Sequence, residues 1–203
     1  MLESLNEEAC WGDVFNQWSG TSVKKSEVFD YTFQLNQAFV DVIHASGRNN
    51  SKMNLLHAGY CTDTALTCDP VFKMPNNPAN RCAVSIHYYT PSTFCILTED
   101  ADWGKAQSTC GTQDEIKELN KNFDMIKFSF INRGISLIIG EYGDDTENKN
   151  MESVRNLFYS VCKACYYRNI VPVLCDTPGG FYDRNKAAMA DPVLKNMLNS
   201  VKG

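Results

Sequence analysis

No run of about 18 consecutive apolar residues occurs in this chain, so the sequence holds no helical membrane span. It has no surplus of positive charge. Nineteen Lys and Arg stand against 24 Asp and Glu, a net charge of −5, which leaves no basic face for nucleic acid or anionic lipid. Met1 is followed by Leu-Glu-Ser-Leu-Asn-Glu rather than by a basic and then an apolar segment, so no signal peptide is visible. Low-complexity tracts and short internal repeats are missing. A G-x-S-x-G elbow is missing too, and no cysteine lies in a recognisable nucleophile motif, which argues against lipase and cysteine-protease chemistry. The C-x-x-C of Cys162 and Cys165 falls inside a helical pattern without a second pair at ligand spacing, so no metal site is expected.

What is present is one domain's worth of ordinary globular sequence, 203 residues, with nine cysteines. Cys61 and Cys68 flank a loop and would bridge in an oxidising compartment; most of the others read as small buried side chains. Strand and helix patterns alternate along the chain. Leu2 to Glu7 reads as the tail of a strand. Val28–Ser46 has helical periodicity through Phe29, Phe33, Leu35, Phe39, Val40 and Ile43, with Gly47 as a C-cap. Residues 54–60 and 82–89 read as strands, joined by a long connection over 61–81 that lacks a convincing helix. A helix over 113–132 presents Ile116, Leu119, Phe123, Ile126 and Phe130. A strand at 135–143, a helix at 148–168, a strand at 170–176 and a closing helix at 192–201 follow. Such alternation predicts a parallel sheet.

The stretch Ile135-Ser136-Leu137-Ile138-Ile139-Gly140-Glu141-Tyr142-Gly143 organises the rest. It is a buried-strand pattern that runs into a carboxylate between glycines. Glu7, His87, Tyr89 and Cys175 stand at the ends of other strand patterns. A barrel gathers all its strand ends at one mouth, whereas an open sheet gathers only those at a switch point, so this distribution favours a (β/α) barrel. Two carboxylates at different strand ends suit glycoside hydrolysis. In the retaining form they stand about 5–5.5 Å apart, one as nucleophile and one as acid/base. His87 and Tyr89, two apart on a strand, share a face. A tyrosine hydroxyl there can donate to a nucleophilic carboxylate and keep it ionised. Asn6, beside Glu7, is placed to bond a sugar 2-hydroxyl. Tyr142 alternates away from Glu141.

Five segments in order carry a resemblance: Glu3-Ser4-Leu5-Asn6-Glu7, Leu56-His57-Ala58-Gly59-Tyr60, Ile86-His87-Tyr88-Tyr89-Thr90-Pro91, Ile138-Ile139-Gly140-Glu141-Tyr142-Gly143 and Val171-Pro172-Val173-Leu174-Cys175-Asp176, together with Asp102-Trp103-Gly104-Lys105. In these the chain resembles glycoside hydrolase family 5, in its endo-β-1,4-glucanase subgroup. The resemblance implies an incomplete (β/α)8 TIM barrel holding the end of the family's fourth strand and strands five to eight, as one partial catalytic domain over residues 1–203. It implies Glu7 as acid/base and Glu141 as nucleophile. His87 and Tyr89 would orient the nucleophile and the substrate, Asn6 would touch the sugar 2-hydroxyl and Trp103 would line the cleft for a β-1,4-glucan or related polysaccharide. No cofactor is implied, and the setting is extracellular, the export signal lying upstream.

Two departures from the family pattern stand out. Cys175 occupies the place of a tryptophan that forms a platform beneath the sugar, and a thiol offers no such stacking face. The family's first three strands, with an arginine and a histidine of its active site, have no counterpart here. Weak activity, poor solubility, a glucan-binding pseudoenzyme, or a partner chain supplying the other half-barrel are the expectations that follow. Trp11 and Trp18 are sugar platforms or loop packing. His57 reads as a satisfied interior histidine, His44 as a surface residue, and Asp183-Arg184-Asn185 as a structural loop interaction.

Overall fold

The computed structural model describes residues 1–8, 24–176 and 180–202. Trp11 and Trp18 lie outside the described residues. Five strands, β1 (Leu2–Glu3), β2 (Leu55–Ala58), β3 (Cys82–Tyr88), β4 (Ser136–Tyr142) and β5 (Val171–Leu174), follow one another in sequence order in one sheet. β1 pairs parallel with β2, and β2 with β3. Among the described residues, no helix is long and apolar enough to cross a membrane. The chain forms two compact units. One comprises residues 1–87 and 128–138, the other residues 88–127 and 139–203.

In the first unit, helix α1 (Lys25–Ala45) covers β2. Its buried stripe is Val28, Phe29, Thr32, Asn36 and Val40, spaced three and four apart as a helix face requires. Sequence periodicity places Leu35 in that stripe, but Leu35 is exposed and Asn36 takes the inward position. Asn36 is tolerated there because its groups are used. It donates to the Ala58 carbonyl (3.1 Å) and accepts from Ser4 Oγ (2.6 Å), which in turn accepts from the Ala58 amide (3.1 Å). That network fastens the segment after β1 to β2 and to α1. The 61–81 connection holds one helical turn, α2 (Thr64–Thr67), capped by Asp63 through the Leu66 amide (2.7 Å). Beyond it, Val71 and Phe72 pack on the cluster of Val28, Phe29, Tyr60, Cys61 and Leu66. Cys61 is in a disulfide, and Cys68 is a free thiol. The Cys61–Cys68 bridge is therefore not formed.

In the second unit, the one-turn helix α3 (Ser92–Cys95) precedes α4 (Gln113–Ser129). The N-terminus of α4 is fixed by Thr112 and Glu115. Glu115 accepts from the Gly111 and Thr112 amides (2.8 Å each), and Thr112 Oγ1 accepts from the Glu115 amide (3.3 Å), a reciprocal cap. Helix α5 (Met151–Tyr166) starts at Asn150, whose side chain accepts from the Ser153 amide. It buries Val154, Leu157, Phe158, Val161, Ala164 and Cys165. Arg168, just past its end, bonds Asp124 (2.8 Å) and Asn120 (3.1 Å) of α4. After β5, Asp176 accepts from the Phe181 and Tyr182 amides and pairs with Arg184 (3.2 Å). A two-stranded ribbon follows, β6 (Tyr182–Asp183) with β7 (Ala188–Met189), and then α6 (Pro192–Asn199).

Candidate active site

Glu7 stands just beyond β1, in the first unit, on backbone with φ of 48°, a left-handed conformation uncommon for a residue with a β-carbon. Its Oε1 lies 2.8 Å from Nδ1 of His87, the penultimate residue of β3. A carboxylate can only accept, so Nδ1 carries the shared proton. His87 is almost fully buried at 5% side-chain exposure, and Glu7 keeps a third of its side chain open (35%). The hydrogen bond from His87 holds the Glu7 carboxyl below its usual range, against an opposing effect of burial. Asn6 precedes Glu7 and is exposed. Glu7 and His87 are also donor types that bind metal ions; here each is the other's partner.

Glu8 is a residue that sequence reasoning missed. Burial pushes its carboxyl up to about 7, although its Oε1 accepts from the Cys61 amide (3.3 Å). Its signal was a second carboxylate directly after the first, a position where alternation would turn it inward. His57 on β2 is fully buried, yet neither ring nitrogen has a hydrogen-bond partner among the described residues. It is interior but not satisfied, and burial lowers its pKa to about 4, so the ring is neutral. His44 is half-buried near the end of α1, its ring 3.3 Å from the Met53 carbonyl.

The second unit assembles its own cluster at the ends of β3, β4 and β5. Tyr89 follows β3, Glu141 is the penultimate residue of β4, and Cys175 follows β5. The Tyr89 hydroxyl donates to Glu141 Oε2 at 2.8 Å. Burial raises the Tyr89 phenol well above its ordinary value, and hydrogen bonding to Cys175 and to Glu141 raises it further, so it stays a donor. The Cys175 amide donates to the Tyr142 carbonyl (2.9 Å), which holds this strand end beside β4. Gly143 sits where a β-carbon would lie 3.3 Å from the Cys175 carbonyl and 3.6 Å from the Tyr89 ring. The glycine lets the three strand ends approach. Tyr142 faces the other way, buried edge-on against Phe158 with centroids 5.6 Å apart. Trp103, at 57% exposure, stands at the tip of a loop closed by the Ala101–Gly104 bridge. Two clusters are thus formed, Glu7 with His87 in one unit and Tyr89 with Glu141 and Cys175 in the other. Asn6 and Trp103 are exposed.

Comparison with known proteins identifies relatives of this arrangement. Residues 1–170 match the family model Cellulase (glycosyl hydrolase family 5). The chain is 28% identical to Endoglucanase 1 of Ruminococcus albus over 82% of its own length, spanning 38% of that protein. It is 29% identical to a xyloglucan-specific endo-β-1,4-glucanase of Bacteroides ovatus over 70% of its length, spanning 31% of that protein. Among solved structures, a broad-specificity endoglucanase from an uncultured bovine rumen ciliate superposes with a TM-score of 0.82 at 29% identity, covering all of this chain and 59% of the other. The fold is accordingly that of an incomplete (β/α)8 barrel, and the chain spans less than two-fifths of these curated relatives.

Proposed function

Because the chain belongs to glycosyl hydrolase family 5, the cellulase family, we propose that it carries the acid/base and the nucleophile of a retaining glycosidase that cleaves internal β-1,4-glucosidic bonds. The observation that carries this reading is the Tyr89–Glu141 hydrogen bond at a strand end. A carboxylate that accepts a hydrogen bond from a phenol which stays protonated in the working range has the donor a nucleophile needs. Glu141 attacks the anomeric carbon as the glycosidic bond breaks, and Glu7 gives its proton to the leaving oxygen. Glu7 then takes a proton from water, which releases the sugar from Glu141. His87 keeps Glu7 ionised in the free protein, the state required of the base. A glucan covering the exposed third of Glu7 removes water from it and raises its pKa toward the range of an acid.

The substrates named for relatives, β-glucans and xyloglucan, define the class we propose here. The Cys61 disulfide supports an oxidising, extracellular setting. Asn6 and Trp103 are proposed substrate contacts. A second reading, a glucan-binding protein of impaired turnover, is favoured by Cys175, which offers no platform for the sugar. Reducing-end release from carboxymethylcellulose and xyloglucan separates the two. Turnover that Glu141→Gln abolishes, with an unchanged circular dichroism spectrum, supports the enzyme. Binding without turnover supports the second reading, and Cys175→Trp should then tighten binding about tenfold.

A further inference from the structure

The segment between β4 and α5 does more than connect them. Its Lys149, eight residues past Glu141, sends its ammonium under the loop that carries Trp103. Nζ donates to the Leu97 carbonyl at one end of that loop and to the Gln107 carbonyl (2.9 Å) at the other. It also sits over the buried Phe94 ring, 5.2 Å from the centroid. The loop is already closed at its base, where the Gln107 amide donates to the Thr93 carbonyl (3.0 Å). It is braced inside by Asp100, which accepts from the Ala106 amide (3.0 Å) and pairs with Lys105 (2.6 Å). Neighbours of Lys149 make parallel ties. The Asp145 amide donates to the Cys95 carbonyl (3.1 Å), the Asn150 amide to the Ser108 carbonyl (2.8 Å), and Asn148 Nδ2 to the Thr98 carbonyl (3.4 Å).

A lysine whose ammonium bonds two carbonyls, faces a ring and acts on the buried Asp144 carboxyl is not a solvated surface charge. We infer that Lys149 is a positioning residue: it clamps the Trp103 loop to the segment that follows Glu141, and thereby sets the place of one substrate-contacting wall relative to the nucleophile. The inference rests on the glycosidase reading for its substrate, but the clamp itself is a property of the fold. A clamp of this kind governs how a glucan chain is held more than how the bond is broken, so its loss raises KM for extended substrates and leaves the chemistry of a short activated one in place.

The test compares the wild-type chain with Lys149→Met and Lys149→Arg. Hydrogen exchange of amides 97–107 should be about tenfold faster in Lys149→Met, with amides of β3 and β4 unchanged, and Lys149→Arg should restore most of the protection. KM for cellotetraose should rise about five- to tenfold in Lys149→Met, while kcat on an aryl β-cellobioside stays within about twofold. Unchanged exchange overturns the clamp. Faster exchange with an unchanged KM overturns its part in holding substrate. Should Lys149→Met not fold, Lys149→Gln keeps a donor without the charge and is judged by the same two readouts. If the wild type turns over no β-glucan, the glycosidase reading fails on its own, and the exchange data still decide the clamp.

Discussion

Two carboxylates and two of their partners were legible as single residues, because chemistry at strand ends leaves a pattern: a β-branched run, then a charged residue beside glycine. Glu141 is read that way, Glu7 from its place at the tail of a strand pattern, and His87 and Tyr89 from standing two apart at the end of the 82–89 strand pattern. A tyrosine donating to the nucleophilic carboxylate was legible, but His87 as the partner of Glu7 was not, since that depends on how far each strand end reaches. The structure pairs His87 with Glu7 and Tyr89 with Glu141. Tyr89→Phe removes a hydrogen bond to a charged acceptor, of about 1.5–3 kcal/mol. Turnover should fall about 10- to 150-fold with KM nearly unchanged, in steady-state assays on a soluble glucan. Asp144 was not legible at all. It follows Gly143, is 6% exposed, and neither oxygen has a hydrogen-bond partner among the described residues, although the Lys149 charge acts on it. Burial raises its carboxyl to about 7 from an ordinary 3.8, against the opposing pull of the Lys149 ammonium. The folded state therefore holds a proton that the unfolded chain releases, and stability present at pH 4 is lost as pH rises toward 7. Asp144→Asn should melt several degrees above wild type at pH 8 and close to it at pH 4, by thermal unfolding in matched buffers.

Elements were more legible than their ends. Strands and long helices fall where periodicity places them, because both are driven by one buried face. The exceptions have physical causes. Asn36 takes a core position that hydrophobicity alone gives to Leu35, because three hydrogen bonds among Asn36, Ser4 and Ala58 offset its burial. The α4 pattern runs on to Phe130 although the helix stops at Ser129, since Phe130 stays buried in the turn that follows. The β6–β7 ribbon is two residues a side, too short to leave an alternation in sequence. The cap at Asn150 holds both the start of α5 and the segment bearing Lys149. Asn150→Ala should cost about 1 kcal/mol and lower the melting temperature by about 2–4 °C, with the far-ultraviolet spectrum unchanged.

At the scale of the molecule, β5 ends the sheet and leaves Val171 and Val173 exposed, at 54% and 46%. Both share the face that leads to Cys175, one residue in two along the strand. An apolar edge strand of this kind is a template for pairing with other chains. Replacing both valines by threonine should lower light scattering of concentrated protein without changing its secondary structure. The alternating strand and helix pattern made a parallel sheet legible and the residues at the strand ends pointed to a barrel, while the chain spans 31–38% of the length of the two curated relatives.

The central claim is that Glu141 forms a bond to the sugar. Incubation with an activated 2-deoxy-2-fluoro-β-cellobioside, followed by intact-mass and peptide mass spectrometry, tests it directly. One 2-deoxy-2-fluorocellobiosyl group per chain is expected, on the peptide bearing Glu141, and none on the Glu141→Gln variant. Release of reducing ends from a β-glucan while Glu141 stays unlabelled, or a label on any other side chain, would contradict it.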